Sequence, residues 1–122
     1  QDGARAAGQG GGTRSGTEPG RTDRREERRL AAQRRQALSE RLRPLDAEIR
    51  RLETRLPQIE QRVGSIETEL ADPGVYRDNA RAAGARERGA LMRERDELET
   101  RWLELGEQRE ALVAQAEAES IQ

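Results

Sequence analysis

The amino-acid sequence predicts an all-α protein: two long helices form an antiparallel coiled-coil hairpin, preceded by a disordered Gly-rich N-terminal tail. Of the 122 residues, 70 are Ala, Glu, Leu or Arg, which is typical of long helices when an apolar period of 3.5 residues is present. Aliphatic residues keep that period over five heptads. A short break containing Pro and Gly then divides the helical part into halves of similar length.

The composition excludes several functions. All 23 basic residues are Arg, there are 24 acidic residues, and the chain contains no His and no Cys. It therefore lacks an imidazole base, a thiol nucleophile and the usual ligands of zinc. No apolar run approaches the roughly 20 residues that span a bilayer. We expect a soluble, cytoplasmic protein without catalytic residues, without a metal site and without a membrane partner.

The tail comprises residues 1–20, which hold seven of the twelve glycines and have Ala as their only apolar residue. Such a segment cannot bury enough surface to offset its ordering entropy, so we predict a disordered linker. Because this linker opens a chain that lacks an initiator Met, we expect the sequence to be a fragment of a larger protein. Residues 21–43 follow as an Arg-rich helical linker.

The first helix carries an unbroken aliphatic seam in which steps of four and three residues alternate. Pro44 and Pro57 lie at positions c and b of these heptads, outside the seam, so we predict one helix that is kinked or split near Pro44. Position a holds Leu42, Ile49, Leu56, Val63 and Leu70, and position d holds Leu38, Leu45, Leu52, Ile59 and Ile66.

The second helix is less regular and follows a tip at residues 71–79. Its d positions are Leu91, Leu98, Leu105 and Leu112. Trp102 lies at position a, where we expect it to pack in the core rather than to stack on bases. Tyr76 is expected to pack under the tip.

Folding the two halves back on each other gives a hairpin over residues 38–118. If the turn centres near Val75, facing residues have numbers that add up to about 150. Apolar residues then meet at each level: Ile59 with Leu91, Leu52 with Leu98, Ile49 with Trp102, Leu45 with Leu105 and Leu38 with Leu112.

Charge is divided unevenly along the chain. Residues 21–43 contain nine Arg and four acidic residues, whereas residues 102–122 contain one Arg and five acidic residues. An Arg-rich helix edge can bind phosphates; alternatively, the hairpin lays residues 28–43 beside the acidic residues 107–122, and their pairing fixes the orientation. Both interpretations stay open. The candidate nucleic-acid-binding residues are Arg21, Arg24, Arg25, Arg28, Arg29, Arg34 and Arg35, of which those up to Arg29 extend past the acidic segment.

A series of short motifs follows in a fixed order along the chain: Arg43-Pro44-Leu45, Glu48-Ile49, Leu52-Glu53, Leu70-Ala71-Asp72-Pro73 with Tyr76, Trp102 and Leu105. This order resembles the C-terminal domain of ABC-F ATPases, most of all the bacterial Uup and YheS types, over residues 24–115. The chain departs from the family pattern in having no Lys and in placing Pro57 within a helix.

The resemblance implies a non-catalytic module of a cytoplasmic ATPase whose two cassettes, absent from this sequence, bind ATP and Mg. It also implies contact with DNA, as in Uup-type members, or with ribosomal RNA or tRNA during translation. This chain lacks a Walker A sequence, so we expect no ATP hydrolysis and no cofactor in it. We expect a monomeric hairpin. The alternative is a purely structural or protein-interaction coiled coil without nucleic-acid binding.

Overall fold

The structure is a computed structural model that describes residues 17–74 and 78–121. Within these ranges there are two helices and no strand: α1 spans Thr17–Ala71 and α2 spans Asp78–Ile121. The predicted all-α class with two long helices is confirmed. Most of the predicted tail, and Tyr76 at the tip, lie outside the described residues, while residues 17–20 form the start of α1.

The chain divides into two units. One consists of residues 41–115, and the other of residues 1–40 together with 116–122. In the first unit the two helices lie antiparallel and are joined through the tip, which confirms the predicted hairpin. The contacts between α1 and α2 described below define how the two helices are aligned.

Both prolines lie inside α1, which continues through them from the first residue to the last. Pro44 and Pro57 are exposed, as positions c and b of the heptad predict. Each ring removes one backbone donor from the helix, and the carbonyl left without that donor faces water on this side. The prediction of one helix is therefore confirmed without a split at Pro44.

The core of the hairpin is formed by the predicted seam. All ten aliphatic positions of α1 are buried or half-buried, and so are the four Leu residues at position d of α2. Ile59 and Leu105 are completely inaccessible to solvent. The fully buried members are Leu52, Ile59, Val63, Ile66 and Leu105.

Trp102 is not a core residue, and that prediction is wrong. Its side chain is 41% exposed, and its Nε1 donates a hydrogen bond to Glu53 Oε2 at 3.0 Å. Position a of α2 lies at the rim of the seam: Arg88, Arg95 and Arg109 share it and are only half-buried. Trp102 accordingly lines an open groove together with Leu56.

One side of the hairpin, which we call the first flank, is closed by three ion pairs between g positions of the two helices. In each pair the guanidinium Nε and Nη2 atoms donate to the two carboxylate oxygens, with distances of 2.7–3.0 Å. Successive pairs are one heptad apart on both helices, which is the spacing that an antiparallel register requires. The pairs are Glu48–Arg101, Arg55–Glu94 and Arg62–Glu87.

The opposite side, the second flank, joins e positions of α1 to a positions of α2. Asp46 Oδ1 accepts from Arg109 Nε at 2.8 Å, and Glu67 Oε2 accepts from Arg88 Nη2 at 2.7 Å. Between these two pairs Glu53 meets Trp102 instead of an Arg. The two flanks together agree with the predicted register to within about one helical turn.

The end of α1 is capped from α2. Arg81 donates from Nη1 to the carbonyl of Leu70 at 2.8 Å and from Nη2 to the carbonyl of Asp72 at 3.1 Å. Carbonyls in the last turn of a helix lack partners within that helix, and a cation near them also offsets the negative end of the helix dipole. The Asp72 carboxylate accepts from the Gly74 amide at 2.9 Å, which begins the turn.

Candidate nucleic-acid interface

The seven Arg residues predicted to bind nucleic acid all lie on α1, within the part of the second unit formed by residues 17–40. The helix forms there because Arg, Ala, Gln, Glu and Leu, all good helix formers, occupy most positions. All seven side chains are exposed, as a phosphate-binding surface requires. They are Arg21, Arg24, Arg25, Arg28, Arg29, Arg34 and Arg35.

Six of these residues share one side of the helix. At 3.6 residues per turn, all except Arg34 fall within about 140° of the circumference. We call them the Arg face: Arg21, Arg24, Arg25, Arg28, Arg29 and Arg35.

Three acidic residues, Asp23, Glu26 and Glu27, lie outside the Arg face. At 3.6 residues per turn Asp23 falls on the opposite side of the helix, and Glu26 and Glu27 fall about 60° beyond the two edges of the face. The positive charge of the segment is thereby concentrated on one surface instead of being cancelled around the helix.

Two residues of the Arg face have local partners. Arg24 Nε donates to the Gly20 carbonyl at 3.2 Å. Arg29 is bonded to Glu26, and its Nε donates to Oε2 at 3.2 Å. This hydrogen bond lowers the pKa of Glu26 and raises the pKa of Arg29. Both contacts are exposed and within one helical turn, so neither fixes the guanidinium groups firmly.

Apart from Arg29, the candidates have no partner of opposite charge among the side chains that the structure describes. The six that form no ion pair with a described carboxylate are Arg21, Arg24, Arg25, Arg28, Arg34 and Arg35. Five Arg residues of the hairpin differ in this respect, since each is held by a carboxylate of the other helix.

The Arg face has the dimensions of a phosphate-binding edge. Arg21, Arg28 and Arg35 follow one another at intervals of two turns, so the face extends for about 20 Å along the helix. Over that length a duplex presents several phosphates, and guanidinium groups bind phosphate with two parallel hydrogen bonds. The arrangement can bind a polyanion, but it contains no acid–base pair in a closed cleft.

No group of three or more acidic side chains in residues 17–74 and 78–121 is arranged to hold a metal ion. Neither described helix contains a stretch long and apolar enough to cross a membrane.

Sequence reasoning missed two features of the site region. The separation of the Arg face from the acidic residues around α1 is present in the spacing of residues 21–35 and was detectable there. An apolar groove beside Trp102 was missed because position a suggested the core. The Arg residues at the other a positions of α2 were the sequence signal that this position lies at the rim.

The fold and the charged segment define a class of protein: a two-helix coiled-coil module with a basic helical extension. A family model described as ABC transporter C-terminal domain matches residues 43–107, which is more than half of the chain. The chain belongs to the ABC transporter C-terminal domain family. The comparison with curated proteins and the comparison with solved structures gave no match. The family match covers the hairpin and begins after the Arg face.

Proposed function

We propose that this chain is the C-terminal coiled-coil module of a cytoplasmic ABC-F ATPase of the Uup or YheS type, and that it binds nucleic acid through the Arg face without catalysing a reaction. The family membership supports the first part of the proposal. The subtype rests on the resemblance of the Leu-Ala-Asp-Pro-x-x-Tyr tip and Trp102. ATP and Mg would be bound by cassettes elsewhere in the parent protein.

The observation that carries the binding proposal is the exposed Arg face. Its six guanidinium groups project from one side of α1, and five of them have no described carboxylate as partner. Forming a phosphate contact from such a group requires breaking no interhelical ion pair. Arg55, Arg62 and Arg101 of the hairpin would each have to give up a bidentate carboxylate first.

The position of the Arg face in the register gives further support. α2 ends at Ile121. If the register of the hairpin is continued to the end of α2, Ile121 lies level with about residue 31 of α1. Arg21 to Arg29 then lie beyond the reach of the acidic residues of α2. This agrees with the absence of ion pairs from Arg21, Arg25 and Arg28 to any described carboxylate.

The test is a binding titration of the whole chain with a DNA duplex of about 20 base pairs and with a structured RNA hairpin at several salt concentrations. Changing Arg24, Arg25, Arg28 and Arg29 to Glu removes four phosphate contacts. We expect at least about 100-fold weaker binding and a salt slope reduced by about four. Comparing the two ligands distinguishes DNA from RNA.

A matched control carries the same change of charge outside the Arg face: Arg50, Arg51, Arg86 and Arg93 to Glu. These four side chains are exposed in the hairpin, and we expect their replacement to weaken binding far less. Equal losses in the two variants would show attraction by net charge alone and would contradict a defined interface.

The second candidate function is a structural or protein-interaction coiled coil, favoured by the three ion pairs of the first flank, which specify the register. In that case neither ligand binds at physiological salt. Sedimentation equilibrium over a range of concentrations adds a separate measurement. We expect a monomer, because the hairpin satisfies its own seam; a stable dimer would favour assembly through the helices.

A further inference from the structure

An open groove of about 450 Å³ lies between α1 and α2 on the second flank of the hairpin. Its apolar surface is formed by Leu56, Pro57, Trp102 and Leu103. Leu103 is 59% exposed and Trp102 41% exposed, although large apolar side chains are normally buried. Pro57, on the outer side of α1, adds a further apolar ring. Contiguous apolar surface with a polar rim is typical of a binding site.

The rim of the groove is acidic. Glu53, Glu60 and Glu99 line it, and no Arg is among its lining residues. Glu53 accepts a hydrogen bond from Trp102 Nε1, which leaves its negative charge without a cation. Glu60 and Glu99 form no ion pair with any side chain that the structure describes. Three carboxylates therefore surround an apolar surface with no described compensating charge.

The acidity has a structural origin in the second flank. Above and below the groove each e-position acid of α1 meets an Arg of α2, as in Asp46–Arg109 and Glu67–Arg88. At the level of Glu53 the place of the Arg is taken by Trp102. The groove thus lies where the sequence omits a cation that the heptad pattern would supply.

Arg95 is the a-position residue at the next level, and it does not neutralise Glu60. Its Nη2 lies 3.3 Å from Asp96 Oδ1 on its own helix, and its Nε is buried without a hydrogen-bond partner. A buried donor without a partner is unfavourable. The flank is therefore incompletely satisfied at two successive levels, and both border the groove.

We propose that the groove is a docking site for a basic amphipathic helix of a partner protein. An apolar side chain of that helix packs between Pro57 and Leu103, while its Arg or Lys residues pair with the three carboxylates. A guanidinium group can also stack on the exposed face of Trp102. This surface is separate from the Arg face and does not depend on the proposed nucleic-acid binding.

Charge favours this occupant over the two other candidates. Nucleic acid would place phosphates against Glu53, Glu60 and Glu99 and would be repelled. The Arg face of a second copy has the right charge, but the exposed Leu30 projects from the opposite side of α1. The Arg-rich part of α1 in a second copy therefore cannot place Leu30 and the Arg face against the groove at the same time.

The experiment uses the whole chain and a synthetic helical peptide of about 16 residues, with Leu at i, i+3, i+4 and i+7 and Arg at the flanking positions. Trp102 is the only tryptophan of the chain, so its fluorescence reports directly on the groove. We expect the emission of Trp102 to change with saturation on titration. A peptide with Glu in place of Arg is expected not to bind.

Variants of the groove are measured by calorimetry. Glu60→Gln with Glu99→Gln is expected to weaken the Arg peptide at least about tenfold, and Leu103→Asp to abolish binding. The matched controls are Glu97→Gln with Glu110→Gln, and Leu30→Asp, which make the same changes at exposed residues outside the groove. The controls are expected to bind like the wild type.

Four results would overturn the proposal. They are no fluorescence change up to about 1 mM peptide, equal binding of the acidic peptide, unchanged binding by the groove variants, and self-association of the chain that Leu103→Asp removes. The last result would identify a second copy as the occupant. The variant with four Arg residues of the Arg face changed to Glu should still bind the peptide, so failure of one proposal leaves the other testable.

Discussion

The two flanks of the hairpin use the same kinds of residue in different ways. On the first flank Glu48–Arg101, Arg55–Glu94 and Arg62–Glu87 form three two-pronged ion pairs, each one heptad from the next. On the second flank a comparable series is interrupted in the middle by Trp102 and by Arg95. One flank is complete, whereas the other leaves carboxylates and apolar surface available for a ligand.

The difference shows that one flank of a short coiled coil can specify the register while the other departs from the heptad pattern. A slip of either helix would break all three pairs of the first flank together, since their spacing repeats by heptads. The second flank is then free to depart from the pattern without loss of register. A surface can be built there because the alignment of α1 and α2 is already specified elsewhere.

The largest expected effect is on the free energy of unfolding, and it distinguishes a residue of the seam from a residue of the second flank. Leu105 is completely buried, and Leu103, two residues away, is the most exposed large apolar side chain among those described. Leu105→Ala should lower the free energy of unfolding by about 2–5 kcal/mol, because it leaves a cavity in the core. Urea denaturation followed by circular dichroism measures the change.

Leu103→Ala is the matched control, since it makes the same replacement on the same helix. We expect its free energy of unfolding to stay within about 0.5 kcal/mol of the wild type. Comparable losses for Leu103 and Leu105 would mean that the second flank is part of the core. The groove would then be a packing feature rather than a docking surface.

An intermediate effect is expected where the second flank reaches the tip. Arg81, at position a, binds the carbonyls of Leu70 and Asp72 instead of a carboxylate. Arg81→Met keeps much of the aliphatic stem and removes both hydrogen bonds, so we expect a loss of about 1–2 kcal/mol. Arg86→Met, at an exposed position nearby, should change the free energy of unfolding little. Equal effects would contradict a capping role for Arg81.

The heptad pattern predicted the parts of the fold that depend on residue type alone. The ten seam positions of α1, the d-position leucines of α2 and the continuity of the helix through Pro57 follow from spacing, because burial of aliphatic residues dominates the energy. Trp102 was misplaced because position a is apolar on α1 and mostly Arg on α2. Which side of the seam is deeper depends on the packing of both helices.

The contacts of the flanks required the structure. Arg51 and Arg55 are about one helical turn apart, so a register known only to one turn cannot decide which of them meets Glu94. The groove was even harder to predict from the sequence, since it depends on the absence of an ion pair between Glu60 and Arg95. The Arg face lies outside the matched family segment, but its six positions could be read from the helical spacing once a helix was assumed.

The smallest expected effect concerns the first flank and its dependence on pH. Hydrogen bonds from Arg101, Arg62 and Arg55 lower the pKa of Glu48, Glu87 and Glu94, respectively, below the ordinary value of 4.5. A carboxyl whose pKa is lower in the folded state stabilises the protein above the unfolded pKa. That contribution is lost as the pH falls from about 4.5 through the folded pKa.

We therefore expect the urea midpoint of the wild type to decrease between about pH 6 and pH 3 more steeply than that of a variant with Arg55, Arg62 and Arg101 changed to Gln. In this variant the three carboxylates lose the donors that lower their pKa. The control changes Arg50, Arg86 and Arg93 to Gln, removing the same charge from exposed positions; its pH dependence should match the wild type. Only the first flank holds the three carboxylates by paired donors. If both variants lost the same part of the pH dependence, net charge would account for that dependence, and the first flank would have no specific role in stability.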